Sequence, residues 1–197
     1  MFRLMILLAS LLPLKKNEIY DIVQIKTPQG EIWVWLFDET PMHKKSFIQL
    51  AKAGYWDSLT FNRVVPNFVI QGGCPDTEVG FNDPEYLLRP EIVSSIKHEY
   101  GSFAAGRDNN PGKISARCQF YIVQNKNGLA RLDGNYTIYG KVIRGMEVVE
   151  KIAALPRNEN DEPNVPVYMD VNIIRKDHKQ LLKAGFDPNN RFKKSEK

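Results

Sequence analysis

The stretch 61–74, FNRVVPNFVIQGGC, constrains the fold more than any other part of the chain. It is densely apolar, yet it carries a cation, Arg63, and an amide, Gln71. Side chains at even separations share one face of a strand, so an extended chain would place Arg63 and Gln71 together. The Pro-Asn pair at 66–67 interrupts the run and can turn Phe68 towards the same surface. The stretch therefore predicts a strand over 61–71 whose surface combines a cation, an amide and an aromatic ring.

Further β-strand patterns surround this stretch, with only two long helical patterns. Runs at 19–26 and 31–37 flank the turn sequence TPQG and predict a hairpin. Thr40 and Pro41 predict the N-cap and first residue of a helix that ends near residue 53. The remaining predicted elements are strands at 101–106, 119–124, 136–142 and 167–176, a second helix at 145–155 and a short helix at 179–184. Many strands with two long helices predict an antiparallel barrel or sandwich.

The charge of the chain is unevenly distributed. The sequence has 197 residues, 43% of them hydrophobic, and a formal net charge of +4, which suits one packed domain. The excess charge lies after residue 175, and Lys/Arg and Asp/Glu balance over residues 1–175. We therefore predict a folded domain at 17–176 and a solvated basic tail at 177–197, and no nucleic-acid partner. Docking of the tail on acidic partners or a membrane surface is the alternative.

The first residues, MFRLMILLASLLPLKK (1–16), contain a short apolar run behind a single basic residue. The run is too short to span a bilayer, which takes about 20 apolar residues, so no stable membrane span is predicted. It suits the apolar region of a secretory signal peptide. We expect an exported, for example periplasmic, protein. The alternative is a cytoplasmic protein with an apolar N-terminal segment.

Three sequence blocks together resemble the cyclophilin family. They are FNRVVPNFVIQGG (61–73), GSFAAGR (101–107) followed by CQFYI (118–122), and LDGNYTIYGKV (132–142). They occur in the family's order, and with their flanks the resemblance covers residues 19–175. It implies a mainly β fold, a closed eight-stranded antiparallel β-barrel capped by two α-helices. It also implies a peptidyl-prolyl cis–trans isomerase that acts on proline-containing polypeptides and assists their folding, for which a monomer is the default.

Such an isomerase needs no nucleophile, metal or cofactor, and none is predicted. The X–Pro bond must twist against a barrier of about 18–20 kcal/mol, and the catalyst must bind the twisted state most tightly. The resemblance implies that Arg63 is the catalytic arginine, with Phe68 at the floor of the proline pocket and Gln71 orienting Arg63 or the substrate carbonyl. The implied substrate-binding residues are Val69, Ala105, Gly106, Gln119, Tyr121, Leu132 and Tyr136. Core or tight packing is the alternative role for several of them, including Val69, Gly106, Leu132 and Tyr136.

The chain departs from the family's usual pattern at two positions of the third block. Arg131 stands where many members have a tryptophan, and Tyr136 stands where many have a histidine. The resemblance also places the two cysteines, Cys74 and Cys118, beside functional strands, so a disulfide or two buried thiols are both open. The three histidines are scattered and form no Cys/His cluster, so no structural metal site is predicted. A proline-segment binding module or holdase chaperone, with incidental turnover, is the alternative function.

Overall fold

A computed structural model of the chain describes residues 18–73 and 87–190. The predictions for residues 1–16, for Cys74 and for the end of the basic tail concern residues outside these ranges. The strands are β1 (Ile19–Thr27), β2 (Gly30–Leu36), β3 (Leu59–Val64), β4 (Val69–Gly73), β5 (Leu87–Leu88), β6 (Ser102–Ala105), β7 (Ser115–Ala116), β8 (Gln119–Val123), β9 (Ile138–Arg144) and β10 (Val167–Asp177). The helices are α1 (Pro41–Lys52), α2 (Met146–Ala153) and α3 (His178–Lys183), with 3-10 turns at Ala130–Leu132 and Pro188–Asn190.

Eight of these strands close into a barrel in the order β1-β10-β3-β4-β8-β6-β9-β2. Each neighbouring pair is antiparallel, and closure leaves no barrel strand with an unpaired edge. The short strands β5 and β7 form a separate pair. The predicted eight-stranded antiparallel barrel is confirmed, as is the predicted hairpin of β1 and β2.

The two long helices begin at opposite ends of this barrel. Helix α1 follows the C-terminal end of β2, and α2 follows the C-terminal end of β9. Because β2 and β9 are antiparallel neighbours, their C-terminal ends lie at opposite ends of the barrel. From α1, Phe47 stacks on Trp56 with ring centroids 4.3 Å apart, and from α2, Val149 and Ile152 enter the same buried core. None of the helices within 18–73 and 87–190 is both long and apolar enough to cross a membrane.

The strand predicted over 61–71 is two strands in the structure, and the predicted interruption at Pro66-Asn67 is a full reversal of the chain. The chain forms a hairpin there, because it turns at Val65–Phe68 and returns as β4. Asn67 adopts a left-handed backbone with φ of 58°, a conformation that asparagine tolerates better than most residues. A register shift lies between Thr60 and Arg63. The turn and the shift together decide which side chains of this stretch face outward.

The strands of the barrel wall alternate between an inner and an outer face. Ile70, Phe120 and Ile122 belong to the interior cluster, whereas Val69 and Tyr121 belong to a second cluster on the outside. This is the two-residue period of a strand with both faces covered. Alternate residues of β4 and β8 therefore lie on the outer face of the barrel wall, outside the interior core.

The first half of the predicted basic tail packs on the barrel. Asp177 caps α3, since its side chain accepts a hydrogen bond from the Gln180 backbone in a capping box. Leu181 is fully buried, and the Phe186 ring lies 5.0 Å from that of Trp35 on β2. The predicted helix at 179–184 is confirmed by α3. The described part of the tail is thus an extension of the fold rather than a solvated segment.

Candidate active site

A row of outward side chains crosses four neighbouring strands. Arg63 on β3 is the cross-strand partner of Gln71 on β4. Gln71 is in turn opposite Tyr121 on β8, and Tyr121 is opposite Ala104 on β6. Directly opposed residues of antiparallel strands project on the same side. The barrel wall therefore brings the predicted cation and amide together.

A cavity of about 430 Å³ lies on this outer face. It is lined by Arg63, Phe68, Val69, Gln71, Gly106, Arg107, Asp108, Gln119, Tyr121, Leu132 and Tyr136. The structure therefore brings together all the predicted site residues except Ala105, which is 2% exposed and belongs to the interior core. Arg107 and Asp108 were not among the predicted residues. The sequence feature that could have indicated them is their position directly after GSFAAG, where the chain leaves β6.

The turn that carries Phe68 is clamped by the end of β8. The Phe68 carbonyl accepts hydrogen bonds from the backbone N–H groups of Gln124 at 2.8 Å and Asn125 at 3.2 Å. The Asn67 N–H donates to Gln124 Oε1 at 2.6 Å, and Asn125 Nδ2 donates to the Asn67 carbonyl at 2.7 Å. The sequence pattern gave no indication of these two positioning side chains. They fix the aromatic ring at the floor of the cavity although it is carried by a turn.

Arg63 is held loosely by charged and aromatic neighbours. Its guanidinium lies 3.8 Å from the Asp161 carboxylate and its Cζ lies 5.7 Å from the centre of the Phe68 ring. The side chain is 39% exposed. Asp161 also contacts Arg157 at 3.1 Å, so its charge is shared between two arginines. The Arg63 guanidinium therefore lines the cavity with part of its charge still available to a ligand.

Gly106 is required by close packing against Gln119. A Cβ on Gly106 would overlap the side-chain amide of Gln119. The Gly106 N–H donates to the Gln119 carbonyl and its own carbonyl accepts from the Ala116 N–H, both at 2.9 Å. Both backbone groups are thus paired within the protein, and the carbonyl keeps one lone pair for a ligand. The absence of a side chain is what opens this part of the cavity.

A buried histidine lies behind the cavity. His98 Nε2 is 2.8 Å from the Tyr121 hydroxyl, and His98 Nδ1 is 2.9 Å from Asp133 Oδ1. Since a carboxylate can only accept, Nδ1 carries the proton and Nε2 accepts from Tyr121. The Tyr136 ring lies edge-on to that of Tyr121 at 5.8 Å. His98 therefore fixes the orientation of one wall of the cavity, a role that no sequence motif predicted.

The pKa values of this group follow from its burial. Burial lowers the pKa of His98, and the hydrogen bond to Asp133 offsets only part of that effect. Burial also raises the pKa of Tyr121 well above 10.0. For Asp133, burial acts to raise the pKa, but the backbone and ring hydrogen bonds from His98 lower it overall. At neutral pH the group is thus a neutral tyrosine, a neutral histidine and a carboxylate.

Two further guanidinium groups lie over the aromatic rings of the cavity. Arg107 Cζ is 4.5 Å from the centre of the Tyr136 ring, and Arg131 Cζ is 4.7 Å from that of the Phe68 ring. Such contacts are favourable because the face of an aromatic ring carries negative charge. Arg131 thus covers part of the ring that forms the floor of the cavity.

A larger cleft of about 710 Å³ lies elsewhere, between β1, β2 and the 3-10 turn at Pro188–Asn190. Its lining includes several charged side chains, among them Asp21, Lys44 and Arg175. None of the predicted site residues lines it. The smaller cavity is the better candidate because it combines an apolar floor with convergent polar groups.

Within the described ranges, His, Cys, Asp and Glu form no group of three or more that could hold a metal ion. Cys118, directly before β8, is disulfide-bonded, which argues against the alternative of two buried thiols. Cys74, the other cysteine of the sequence, lies outside the described residues.

Comparisons with known proteins point to one family. A family model described as "Cyclophilin type peptidyl-prolyl cis-trans isomerase/CLD" matches residues 22–173. A peptidyl-prolyl cis-trans isomerase of Acinetobacter baylyi is 36% identical over 139 residues, which are 68% of this chain and 73% of that protein. One from Schizosaccharomyces pombe is 32% identical over 149 residues, 74% of this chain and 93% of that protein.

A solved structure shows the same fold. It is a cyclophilin type peptidyl-prolyl cis-trans isomerase of Cryptosporidium parvum, crystallised in the presence of the dipeptide Ala-Pro. The two chains are 27% identical with a TM-score of 0.69, and the match covers 78% of this chain and 98% of that one.

Proposed function

This chain belongs to the cyclophilin-type peptidyl-prolyl cis–trans isomerase family and is an isomerase of X–Pro peptide bonds, and we propose that the outer-face cavity is where it acts. The observation that carries the proposal is the convergence of Arg63, Gln71 and Phe68 on one cavity. The three come from two strands and a turn, and only the folded hairpin brings them together. Proline-containing segments of flexible or unfolded chains are the proposed substrates.

The proposed chemistry is stabilisation of a twisted amide. As the C–N bond rotates, amide resonance is lost and the nitrogen regains its lone pair. Arg63 donates a hydrogen bond to that lone pair, and its charge is permanent at any physiological pH. Gln71, beside it on β4, donates to or accepts from the substrate main chain. These contacts are stronger in the twisted state than in either planar state, which is the condition for catalysis.

The proposed grip on the proline ring is apolar. Phe68, Val69, Leu132 and Tyr136 line the cavity, and their side chains offer an aromatic and aliphatic surface for a pyrrolidine ring. Tyr121 forms the wall next to them, with its hydroxyl directed to His98. Gly106 and Gln119 border the segment of the cavity that a flanking substrate backbone would occupy. A ring held on rigid surfaces lets the rotating bond lie beside Arg63.

Magnetisation-exchange NMR on a short Xaa–Pro peptide tests the assignment of Arg63, because it needs no coupled protease. The wild type is expected to exchange the cis and trans lines, and Arg63→Ala to lower the catalysed rate about 10²- to 10³-fold, the usual cost of removing one transition-state donor. Arg157→Ala is the matched control, since it also removes an arginine from Asp161 but leaves Arg63 in place. Its rate should remain within about twofold of the wild type.

Two other outcomes would contradict parts of the proposal. Equal exchange by the wild type and Arg63→Ala would mean that another group is the catalytic cation. No exchange with either protein would exclude turnover at this site. Suppression of client aggregation that Arg63→Ala leaves unchanged would then favour the alternative of a proline-segment holdase.

We also propose that the protein is exported and acts as a monomer. The apolar run behind Arg3 supports export, and the disulfide at Cys118 suits an oxidising compartment. Mass spectrometry of the N-terminus, made on protein from separated cell fractions, tests export. An uncleaved chain confined to the cytoplasmic fraction would contradict it. Light scattering coupled to gel filtration tests the monomer, and a mass of twice that of the single chain would contradict that.

A further inference from the structure

Within the described ranges, the charges at the mouth of the cavity are mainly positive, although the body of the chain is neutral overall. Lys/Arg and Asp/Glu balance over residues 1–175. Three of those cations nevertheless meet at this one site: Arg63 and Arg107 line the cavity, and Arg131 covers the Phe68 ring at its floor. A concave site lined by one sign of charge concentrates ligands of the opposite sign.

Two of the three charges are not neutralised within the described ranges. Arg131 is exposed, and its recorded contact there is with the face of Phe68, with no ion pair or hydrogen bond among residues 18–73 and 87–190. Arg107 donates to the main-chain carbonyls of Asn135 at 3.1 Å and Asp108 at 2.7 Å. Neutral carbonyls orient a guanidinium but leave its charge in place. Both arginines are therefore available to an anionic ligand.

The nearby carboxylates are largely committed to other cations. Asp133 accepts from His98 and lies 3.8 Å from the Lys97 ammonium. Asp161 is shared by Arg157 and Arg63. Asp108 lines the cavity and is exposed, and its Oδ1 accepts from Asn110 Nδ2 at 2.6 Å. Among residues 18–73 and 87–190, Asp108 is thus the one carboxylate that lines the cavity, and the balance of the described charges at the mouth is positive.

We propose that this isomerase prefers proline segments that carry an acidic side chain directly before or after the proline, with Arg131 as the main specificity-determining residue. The inference rests on the proposed site of action, because it needs the proline ring to sit on Phe68. A guanidinium 4.7 Å above the centre of that ring lies beside the flanking substrate residues. Because the N–H groups of Arg131 have no hydrogen-bond partner within the described ranges, they can donate to a substrate carboxylate.

The size of the preference follows from the exposure of the mouth. Charges at a rim mainly change association rates and selectivity, and an exposed ion pair contributes only about 0.2–1 kcal/mol. The expected advantage of a Glu peptide over its Gln counterpart in kcat/KM is therefore about 1.4- to fivefold. Added salt should reduce it, since the Debye length falls from about 10 Å at 0.1 M to about 3 Å at 1 M.

The test uses blocked peptides Ala-Ala-Xaa-Pro-Yaa-Ala in which Xaa or Yaa is either Glu or its neutral isostere Gln. Catalysed exchange is measured by NMR for the wild type, Arg131→Gln and Arg175→Gln. Arg175 is an exposed arginine on β10 outside the cavity lining, so its variant removes the same charge elsewhere. In the wild type, the Glu-to-Gln ratio of kcat/KM should exceed one in at least one position. The ratio should fall by half or more in Arg131→Gln and stay unchanged in Arg175→Gln. Arg131→Glu should reverse it.

The failures of the two proposals are distinguishable. Suppose that the wild type turns over every peptide, but that the Glu-to-Gln ratio of kcat/KM is one or less in both positions. This result would overturn the acidic preference and leave the site of action intact. An equal fall of the ratio in Arg131→Gln and Arg175→Gln would also overturn it, since net charge rather than the mouth would then be responsible. No turnover of any peptide by the wild type would contradict the proposed function itself.

Discussion

The molecule contains two buried histidine–carboxylate pairs of nearly the same form. His43 Nδ1 is 2.6 Å from Glu91 Oε2, and His98 Nδ1 is 2.9 Å from Asp133 Oδ1. Both histidines are 2% exposed. Burial lowers the pKa of each ring, and the hydrogen bond to the carboxylate only partly offsets this. In both pairs a neutral imidazole therefore donates its Nδ1 proton to a carboxylate.

The two pairs differ in what the rest of each group contacts. His98 Nε2 reaches the hydroxyl of Tyr121, a cavity residue. His43 Nε2 is buried without a hydrogen-bond partner within the described ranges, and its ring lies 5.6 Å from Tyr139 of the interior core. Glu91 instead uses both of its oxygens at the start of α1. The same chemical unit thus caps a helix in one place and positions a wall of the active site in the other.

Removal of Glu91 should have the largest effect on stability. Glu91→Ala leaves the N–H groups of Met42 and His43, and the His43 ring, without their acceptor. Three hydrogen bonds to a nearly buried carboxylate are lost, so we expect a cost of about 3–5 kcal/mol in the free energy of unfolding. Urea titration should show a lower midpoint with an unchanged slope. Isomerase activity per folded molecule should stay near that of the wild type.

The amide variant tests whether both oxygens of Glu91 are needed. Glu91→Gln retains one acceptor, but its NH₂ must face either the Met42 N–H or the two donors of His43. An unpaired donor at the N-terminus of α1 costs about 1–3 kcal/mol. Wild-type stability for Glu91→Gln, or a large loss of activity per folded molecule for Glu91→Ala, would contradict the separation of the two pairs.

Asp133 should behave differently because its hydrogen bonds to His98 use one oxygen and because it supports the cavity. Its Oδ1 accepts from both the backbone N–H and the ring of His98, each at 2.9 Å. Asp133→Ala should cost about 2–3 kcal/mol in unfolding free energy and lower kcat/KM about tenfold, which corresponds to about 1.4 kcal/mol of lost positioning. Asp133→Asn keeps an oxygen at that place and should restore most of both. Equal losses in the two variants would show that the negative charge, not the acceptor, is what matters.

The capping of α1 illustrates what the sequence could not predict about the fold. The bounds of α1 and the hairpin of β1 and β2 follow from local patterns, and both predictions are confirmed. Thr40 occupies the predicted N-cap position, but its side chain makes no capping hydrogen bond. Its hydroxyl faces the Phe37 carbonyl at 3.5 Å, and Glu91 from a distant segment supplies the acceptor. A contact between residues 48 positions apart leaves no trace in local periodicity.

The site shows the same division between local and distant information. Arg63, Phe68 and Gln71 belong to one short stretch, so the sequence could group them and place a turn at Pro66-Asn67, but the reversal into a hairpin and the register shift were not predicted. Arg107 was missed because the pocket segment of the second block was placed at Ala105 and Gly106, and Ala105 instead points into the core. His98 was missed because only the fold brings it to Tyr121 and Asp133.

Acid should destabilise the protein through both histidines. The pKa of each is lowered from 6.5 in the folded state, so the unfolded chain takes up protons that the folded protein does not. The free energy of unfolding should therefore fall as the pH is lowered through about 6.5, with a further fall at lower pH from Asp133, whose pKa is also lowered in the fold. Thermal melts at pH 7.5 and 5.5 would check this. A higher Tm at pH 5.5 would contradict the neutral state of both rings.

The smallest expected effect is on activity rather than stability, and it distinguishes His98 from His43. Protonation of His98 would make Nε2 a donor and reverse its hydrogen bond with Tyr121, which would redirect the tyrosine proton towards the cavity. Tyr121→Phe removes that coupling, at a cost of about 1 kcal/mol in stability for one neutral hydrogen bond. At neutral pH its kcat/KM should stay within about threefold of the wild type, because the aromatic wall is kept. The decisive comparison is the pH profile of activity per folded molecule. The wild type should lose activity on acidification as His98 protonates, and Tyr121→Phe should lose less. Identical pH profiles in the two proteins would mean that the His98–Asp133 pair, like the His43–Glu91 pair, serves the fold alone.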